Sequence, residues 1–161
     1  MIPVNEIIFR WFNGLAGRSP LSDTLIIFLA EYLGWILVIG LVIYFFRRRG
    51  QILPVVAIAS TSWLISRVIK YFYLHPRPFA PDNSFPSGHG ALFSALAFAL
   101  YLYDRRWGNI YLVGAVLIGL ARVAAGVHWP GDVLAGFILG GAVTVLFNLL
   151  FGFSRQQHFR D

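Results

Sequence analysis

Long apolar runs dominate this sequence and limit what it can fold into. Five runs approach or exceed the roughly 20 helical residues that cross a bilayer, at about residues 22–46, 51–74, 86–104, 108–127 and 131–153. Hydrophobic residues make up 58% of the chain and charged residues only 12%, which is far from the composition of a soluble domain. The connections between the runs are short, as between antiparallel neighbours in a bundle. The sequence therefore predicts an all-α, polytopic membrane helical bundle with about five transmembrane helices.

The first 20 residues differ from the runs that follow. They lack the basic leader and long apolar block of a cleavable signal peptide. Apolar residues recur here at helical spacing, namely Val4, Ile7, Ile8, Trp11, Phe12 and Leu15. Polar residues stand between them, which predicts a short amphipathic helix lying in the membrane interface within residues 1–20.

The basic residues flank the apolar runs, so the net charge of +6 does not indicate a nucleic-acid partner. In a five-span arrangement one side of the membrane receives most of the arginines, namely Arg47, Arg48, Arg49, Arg105, Arg106, Arg155 and Arg160. Because basic residues favour the cytoplasm, these turns and the C-terminus are expected inside, and loops 75–85 and 128–130 outside. The chain has no cysteine, which excludes a disulfide framework and thiolate metal sites.

Three short polar blocks interrupt the apolar pattern. They read KYFYLHPRP, PSGH and ARVAAGVHWPGD, and they contain Lys70, Arg77, Ser87, Gly88, His89, Arg122, His128 and Asp132. In the five-span arrangement all three blocks emerge on the same face of the membrane. We therefore expect them to form one pocket at the outer membrane boundary.

The charges in this pocket require an anion. A lysine and two arginines in a partly dehydrated place are costly unless they are paired, and too few carboxylates lie near these blocks to neutralise them. Arginine presents a planar fork that suits phosphate oxygens, and lysine adds a point charge. In the second block, Ser87 and Gly88 follow a proline at an expected helix start, where backbone N–H groups form an anion site. These features predict that Lys70, Arg77 and Arg122 bind phosphate.

Two histidines beside a phosphate allow one to attack phosphorus while the other protonates the departing oxygen. His128 is the better nucleophile candidate, because Asp132 follows it across a WPG turn and would fix its tautomer. His89 would then be the general acid and later the base that activates water. No metal-ligand spacing is apparent in the sequence, so the reaction is predicted to need no metal ion or other cofactor.

The spacing of the three blocks resembles the type-2 phosphatidic acid phosphatase superfamily. Six residues separate Lys70 from Arg77-Pro78, and PSGH follows. Five residues separate Arg122 from His128, and three more separate His128 from Asp132. The resemblance implies a single membrane phosphatase domain over residues 1–161, with its catalytic region at 70–132 and a phosphohistidine intermediate. It assigns the roles given above to the matched residues, with Ser87 and Gly88 assisting phosphate binding. The family commonly has serine before the third-block arginine, whereas this chain has Ala121.

The substrate is expected to be a lipid, because the pocket lies at the membrane surface. The small size and FLAEYLGW in the first run are similar to bacterial undecaprenyl-diphosphate phosphatases of the bacitracin-resistance type, which implies the bacterial cytoplasmic membrane. Phosphatidylglycerophosphate, phosphatidic acid and lipid A are alternative substrates. A lipid phosphotransferase, or a small anion transporter with cations along its path, is an alternative of another class. Water and a second lipid are both candidate acceptors.

Some polar residues lie outside the three blocks. Glu31 and Arg67 fall inside predicted spans, and intramembrane charges are usually paired. We expect them to form a buried structural pair between the first two helices, beneath the pocket. His75 and His158 are interpreted as amphipathic anchors at the membrane interface.

Overall fold

The computed structural model describes residues 4–152, and these residues are almost entirely helical. The helices are α1 Val4–Asn13, α2 Pro20–Ile27, α3 Leu33–Arg47, α4 Ile52–Phe72, α5 Gly88–Tyr103, α6 Arg105–Ala124 and α7 Pro130–Phe151. A π-helical turn, Phe28–Tyr32, joins α2 to α3, and a short 3₁₀ turn, Arg49–Gln51, precedes α4. No strand occurs among the described residues, which confirms the predicted all-α fold.

The five predicted runs correspond to five helical segments. Four are long and apolar enough to cross a membrane, namely Pro20–Arg47, Arg49–Phe72, Arg105–Ala124 and Pro130–Phe151. The fifth is α5, a shorter apolar helix of 16 residues. The fourth run was expected to begin at residue 108, but its helix begins at Arg105, because the Asp104 carboxylate accepts hydrogen bonds from the first amides.

Helix α5 lies at the centre of the bundle and contacts α4, α6 and α7. Its small residues from Gly90 to Ala99 are buried, and Phe93 packs against the first span at Gly34. The contact with α7 is very close: a Cβ at Gly136 would lie 2.6 Å from the carbonyl oxygen of Ser87. Such small-residue contacts allow backbones to approach closely. They fix α7 against the first turn of α5, where the second polar block lies.

Helix α1 is the predicted amphipathic helix, and its two asparagines face the protein. Asn5 accepts a hydrogen bond from the Gly131 amide at 2.9 Å, and Asn13 donates one to the Ala124 carbonyl at 2.8 Å. Between them, Phe9 is buried. The apolar residues Val4, Ile7, Ile8 and Trp11 are exposed on the other side. α1 is thereby attached to both ends of the connection between α6 and α7.

The polar blocks all lie at one end of the bundle. The first follows the end of α4, the second begins α5, and the third connects α6 to α7. The arginine-containing turns after α3 and after α5 lie at the opposite end. His158, Arg155, Arg160 and the C-terminus lie outside the described residues, as do residues 1–3.

Candidate active site

The second block forms the start of α5. Ser87 is the N-cap residue, and its side-chain oxygen accepts from the Gly90 amide at 3.2 Å. The Ser87 amide donates to the Asp132 carbonyl at 2.9 Å, so the expectation that this amide is accessible to an anion is wrong. The amides of Gly88 and His89 belong to the first helical turn, which has no intrahelical acceptor. These two amides, together with the Ser87 hydroxyl, remain the donors that the helix start offers.

The third block places His128 beside Asp132. Pro130 begins α7, and the Asp132 carboxylate reaches back to accept from the Trp129 amide at 2.8 Å. The same carboxylate oxygen lies 3.4 Å from Nδ1 of His128. The side chains of His128 and Asp132 are only 2% and 1% exposed. With Nδ1 turned to the carboxylate, Nε2 is the ring nitrogen that can react.

Burial lowers the pKa of His128 below its ordinary value of 6.5, and the positive charges of Arg122 and Lys70 act in the same direction. The hydrogen bond with Asp132 opposes this effect without cancelling it. The imidazole is therefore neutral at neutral pH, and a neutral ring keeps the lone pair that a nucleophile needs.

The first block is folded onto the third by side-chain to backbone bonds. The guanidinium of Arg77 donates to the Val127 carbonyl at 3.3 Å and forms an ion pair with Asp82 at 2.7 Å. The indole N–H of Trp129 donates to the Pro76 carbonyl at 3.0 Å. These contacts join loop 75–84 directly to the residues on either side of His128.

The predicted site residues come together at this end of the bundle. Lys70 belongs to the last turn of α4, and its carbonyl accepts from the Asn83 side chain at 3.0 Å. His89 belongs to the first turn of α5, directly after Ser87 and Gly88. Arg122 lies in the last turn of α6 and is buried, with its side chain 9% exposed. Histidines, cations and helix-start amides are thus gathered around one small region.

The predicted pair between Glu31 and Arg67 is wrong. Glu31 lies 3.7 Å from Arg122, whose guanidinium also donates to the Ala30 carbonyl at 3.3 Å. Glu31 is part of the π-helical turn, and its side chain is 63% exposed. Arg67 instead lies over the ring of Trp63, 5.8 Å from its centroid. Hydropathy places both charges within apolar runs but does not show the side of the helix on which each one lies.

Other contacts at the site were missed by sequence reasoning. The sequence suggests that His75 is an interface anchor, but its Nε2 lies 3.8 Å from the second carboxylate oxygen of Asp132. The ring packs near Tyr73 and Phe85. Asn5 and Asn13 were treated as the polar side of an interfacial helix, although they bond to the connection that carries His128. Their spacing of eight residues, two helical turns, was the only sequence signal.

No group of three or more His, Asp or Glu side chains within residues 4–152 is arranged to hold a metal ion. The positive charge at the site comes from side chains and helix-start amides. Stabilisation of a phosphoryl group by such fixed donors needs no reorganisation during the reaction.

Comparison with known proteins identifies the family. Residues 50–156 match the PAP2 superfamily. The chain belongs to the PAP2 superfamily. It is 31% identical over 153 residues to the bacitracin transport permease protein BcrC of Bacillus licheniformis, covering 85% of this chain and 75% of the relative. It is 34% identical over 161 residues to an undecaprenyl-diphosphatase of Sulfolobus acidocaldarius, covering 90% of this chain and 77% of the relative.

A solved structure of another protein also has this fold. The crystal structure of Aquifex aeolicus LpxE superposes with a TM-score of 0.76 at 27% identity, covering 90% of this chain and 94% of the other. Other curated PAP2 relatives are named phosphatidylglycerophosphatase B and lipid A 4'-phosphatase. The protein is therefore a multi-pass membrane phosphatase of the PAP2 lipid phosphatase family, and its relatives differ in the lipid that their names specify.

Proposed function

We propose that this PAP2 phosphatase hydrolyses undecaprenyl diphosphate to undecaprenyl phosphate through a phosphohistidine on His128. The observation that carries the proposal is the buried His128–Asp132 contact, which turns Nδ1 to the carboxylate and leaves Nε2 to react near the charges of Arg122 and Lys70. Arg77 donates to the carbonyl of the preceding residue, Val127. The lipid is suggested by relatives named as undecaprenyl-diphosphatases.

In this proposal three cations and the helix start hold the phosphoryl group. Lys70, Arg77 and Arg122 supply charge, and the amides of Gly88 and His89 supply directed donors. The buried Nε of Arg122 has no hydrogen-bond acceptor among the described residues. A buried donor left unpaired costs roughly 1–3 kcal/mol, and a phosphate oxygen is the acceptor that suits a guanidinium.

The reaction then follows in two displacements. The lone pair on Nε2 of His128 attacks the terminal phosphorus, the bond to the bridging oxygen breaks, and its electron pair leaves on undecaprenyl phosphate. Asp132 stabilises the ring as it acquires positive charge. Water next attacks the phosphohistidine, His89 accepts the water proton, and inorganic phosphate departs from a regenerated His128.

The phosphohistidine is the first test of this mechanism. Rapid quenching with a ³²P-labelled substrate should trap an acid-labile, base-stable phosphoenzyme in the wild type. His128→Ala should form none and should release no phosphate from any lipid. An active His128→Ala variant would remove His128 as the nucleophile.

The substrate can be identified with a panel of lipids presented at equal surface density. Undecaprenyl diphosphate should give the highest kcat/KM, ahead of phosphatidylglycerophosphate, phosphatidic acid and lipid A. His89→Ala should lose less activity on the diphosphate than on phosphatidic acid, because a lipid phosphate leaves more readily than a lipid alcohol. On a monoester His89 would protonate the departing lipid alcohol, so equal losses would contradict this acid role. Adding acceptor lipids and searching for phosphorylated products tests for phosphotransfer.

The site is proposed to face the outside of the bacterial cytoplasmic membrane, as the distribution of arginines indicates. The absence of cysteine makes this simple to test. Pro81→Cys and Arg106→Cys place single thiols at exposed positions on opposite ends of the bundle. In intact cells an impermeant maleimide should label only the Pro81→Cys variant, and the reverse pattern would invert the orientation.

A further inference from the structure

A cavity adjoins the proposed phosphate site on the side of α4. It is about 490 Å³ in volume and is lined by Arg67, Lys70, Tyr71, Arg77, Asp82 and Asn83. Lys70 and Arg77 belong to both the cavity and the proposed phosphate site. Arg67 lies one helical turn before Lys70, and the three-block pattern gives it no role.

Charge in this cavity is not balanced by the protein. Arg77 has Asp82 as its ion-pair partner, and Arg122 nearby has Glu31. Within residues 4–152, neither Arg67 nor Lys70 lies within ion-pair distance of a carboxylate. A cation inside a membrane span is costly, and such residues usually mark a path or site for charge. The Trp63 ring supports the Arg67 guanidinium but does not neutralise it.

The depth of Arg67 indicates which part of a substrate it could reach. Three residues along a helix correspond to about 4.5 Å, and α4 runs from the opposite end of the bundle toward the site. Arg67 therefore lies about one turn closer to the membrane interior than Lys70. The hydrocarbon chain of a lipid substrate lies on that same side. A group between the transferred phosphate and the chain would face Arg67.

We propose that Arg67 binds the inner phosphate of a lipid diphosphate, the phosphate that stays on the lipid, and thereby makes the site selective for diphosphates over monophosphates. This inference rests on the proposed function. When the bond between the terminal phosphorus and the bridging oxygen breaks, the electron pair remains on the inner phosphate. Its negative charge grows in the transition state, so a cation at this position binds the transition state more tightly than the substrate.

The experiment compares Arg67→Gln with wild type on undecaprenyl diphosphate, phosphatidylglycerophosphate and phosphatidic acid in mixed micelles. Loss of one charged hydrogen bond predicts an about 10- to 100-fold fall in kcat/KM on the diphosphate, with a much smaller fall on phosphatidic acid. Arg67→Lys should recover part of the loss. Arg105→Gln is the matched control, because that arginine also lies over an aromatic ring, at 5.9 Å, but at the opposite end of the bundle.

The outcomes separate this inference from the proposed function. If wild type releases no phosphate from the diphosphate, the proposed function fails. If wild type is active but Arg67→Gln lowers kcat/KM by the same factor on all three lipids, only the inference is overturned. A largest loss on phosphatidylglycerophosphate, whose two phosphates are separated by glycerol, also overturns the diphosphate assignment. Arg67→Gln should lower the ratio of activity on the diphosphate to activity on phosphatidic acid, whereas His89→Ala should raise this ratio.

Inhibition gives a readout that does not depend on turnover. Methylenediphosphonate should inhibit wild type more strongly than inorganic phosphate does, because it fills both phosphate positions. Arg67→Gln should reduce this advantage by about tenfold or more, as loss of a charged contact predicts. An unchanged ratio of the two inhibition constants would overturn the inference, and a normal melting temperature of the variant would exclude misfolding as the cause.

Discussion

Gly136 provides a sharp test of how the catalytic blocks are held together. It faces α5, where a Cβ would lie 2.6 Å from the Ser87 carbonyl oxygen and 2.9 Å from the Ala91 nitrogen. Both atoms belong to the backbone and cannot rotate away, so Gly136→Ala forces α7 and α5 apart by most of an ångström. The Ser87–Asp132 hydrogen bond spans the same contact. The His128–Asp132 pair would then shift relative to the helix start that holds the phosphate.

The expected size of the effect follows from this geometry. Overpacking typically costs about 1–3 kcal/mol of stability, and a misplacement of about 1 Å can lower the rate of a reaction about 100-fold. We therefore expect Gly136→Ala to unfold at a lower temperature and to show a kcat lowered about 100-fold, with KM changed much less. Initial phosphate release should be measured well below the melting temperature of the variant.

Gly141→Ala is the matched control on the same helix. Its added Cβ would meet only the ring of Phe98, at 3.3 Å, and a side chain can adjust. Because alanine favours helix over glycine by up to about 1 kcal/mol, this variant should keep its activity and its melting temperature. If Gly136→Ala is as active as Gly141→Ala, the close contact between α5 and α7 does not position the catalytic groups and the reasoning is wrong.

Three further predictions follow from the site and its supports. Asn13→Asp removes the donor to the Ala124 carbonyl and should lower kcat about 10-fold. A buried acceptor that is left unpaired costs about 1–3 kcal/mol of free energy. Asn5→Asp keeps the acceptor for the Gly131 amide and should retain activity, so equal effects of the two substitutions would contradict the proposed docking of α1. The lowered pKa of His128 keeps its ring neutral to lower pH. The rate of single-turnover phosphoenzyme formation should therefore fall to half its maximum only below pH 6.5. If the rate falls to half at or above that pH, the nucleophile is not a neutral ring of lowered pKa. Phosphate release should be unchanged after treatment with EDTA, and restoration of a lost rate by a divalent cation would disprove the metal-independent mechanism.

Sequence reasoning was most successful where spacing alone carries the information. The apolar runs correctly predicted the helices, and the three blocks identified the superfamily, because both depend on positions along the chain. The three blocks lie at the same end of the bundle because an even number of helices separates one block from the next. The sequence alone therefore assigns Lys70, His89 and His128 to one face of the membrane.

The failures have a common physical origin. Pairing of Glu31 depends on which side of its helix the carboxylate lies, and the π-helical turn around it changes that side in a way that hydropathy does not show. The hydrogen bond donated by the Ser87 amide depends on the close approach of α7 to α5. Small residues permit this approach, but their presence in the sequence does not show that it occurs. His75 approaches Asp132 through the fold of an irregular loop. The sequence predicts the segments but not these contacts between them.

The attachment of α1 has a consequence for how the protein responds to its surroundings. Val4, Ile7 and Trp11 point away from the bundle, while the opposite side of the same helix bonds to both ends of the connection that contains His128. The free energy with which α1 partitions into lipid thus contributes to the order of that connection. Acyl-chain packing and membrane thickness would then adjust turnover from a distance, through a helix that need never touch the headgroup being cleaved.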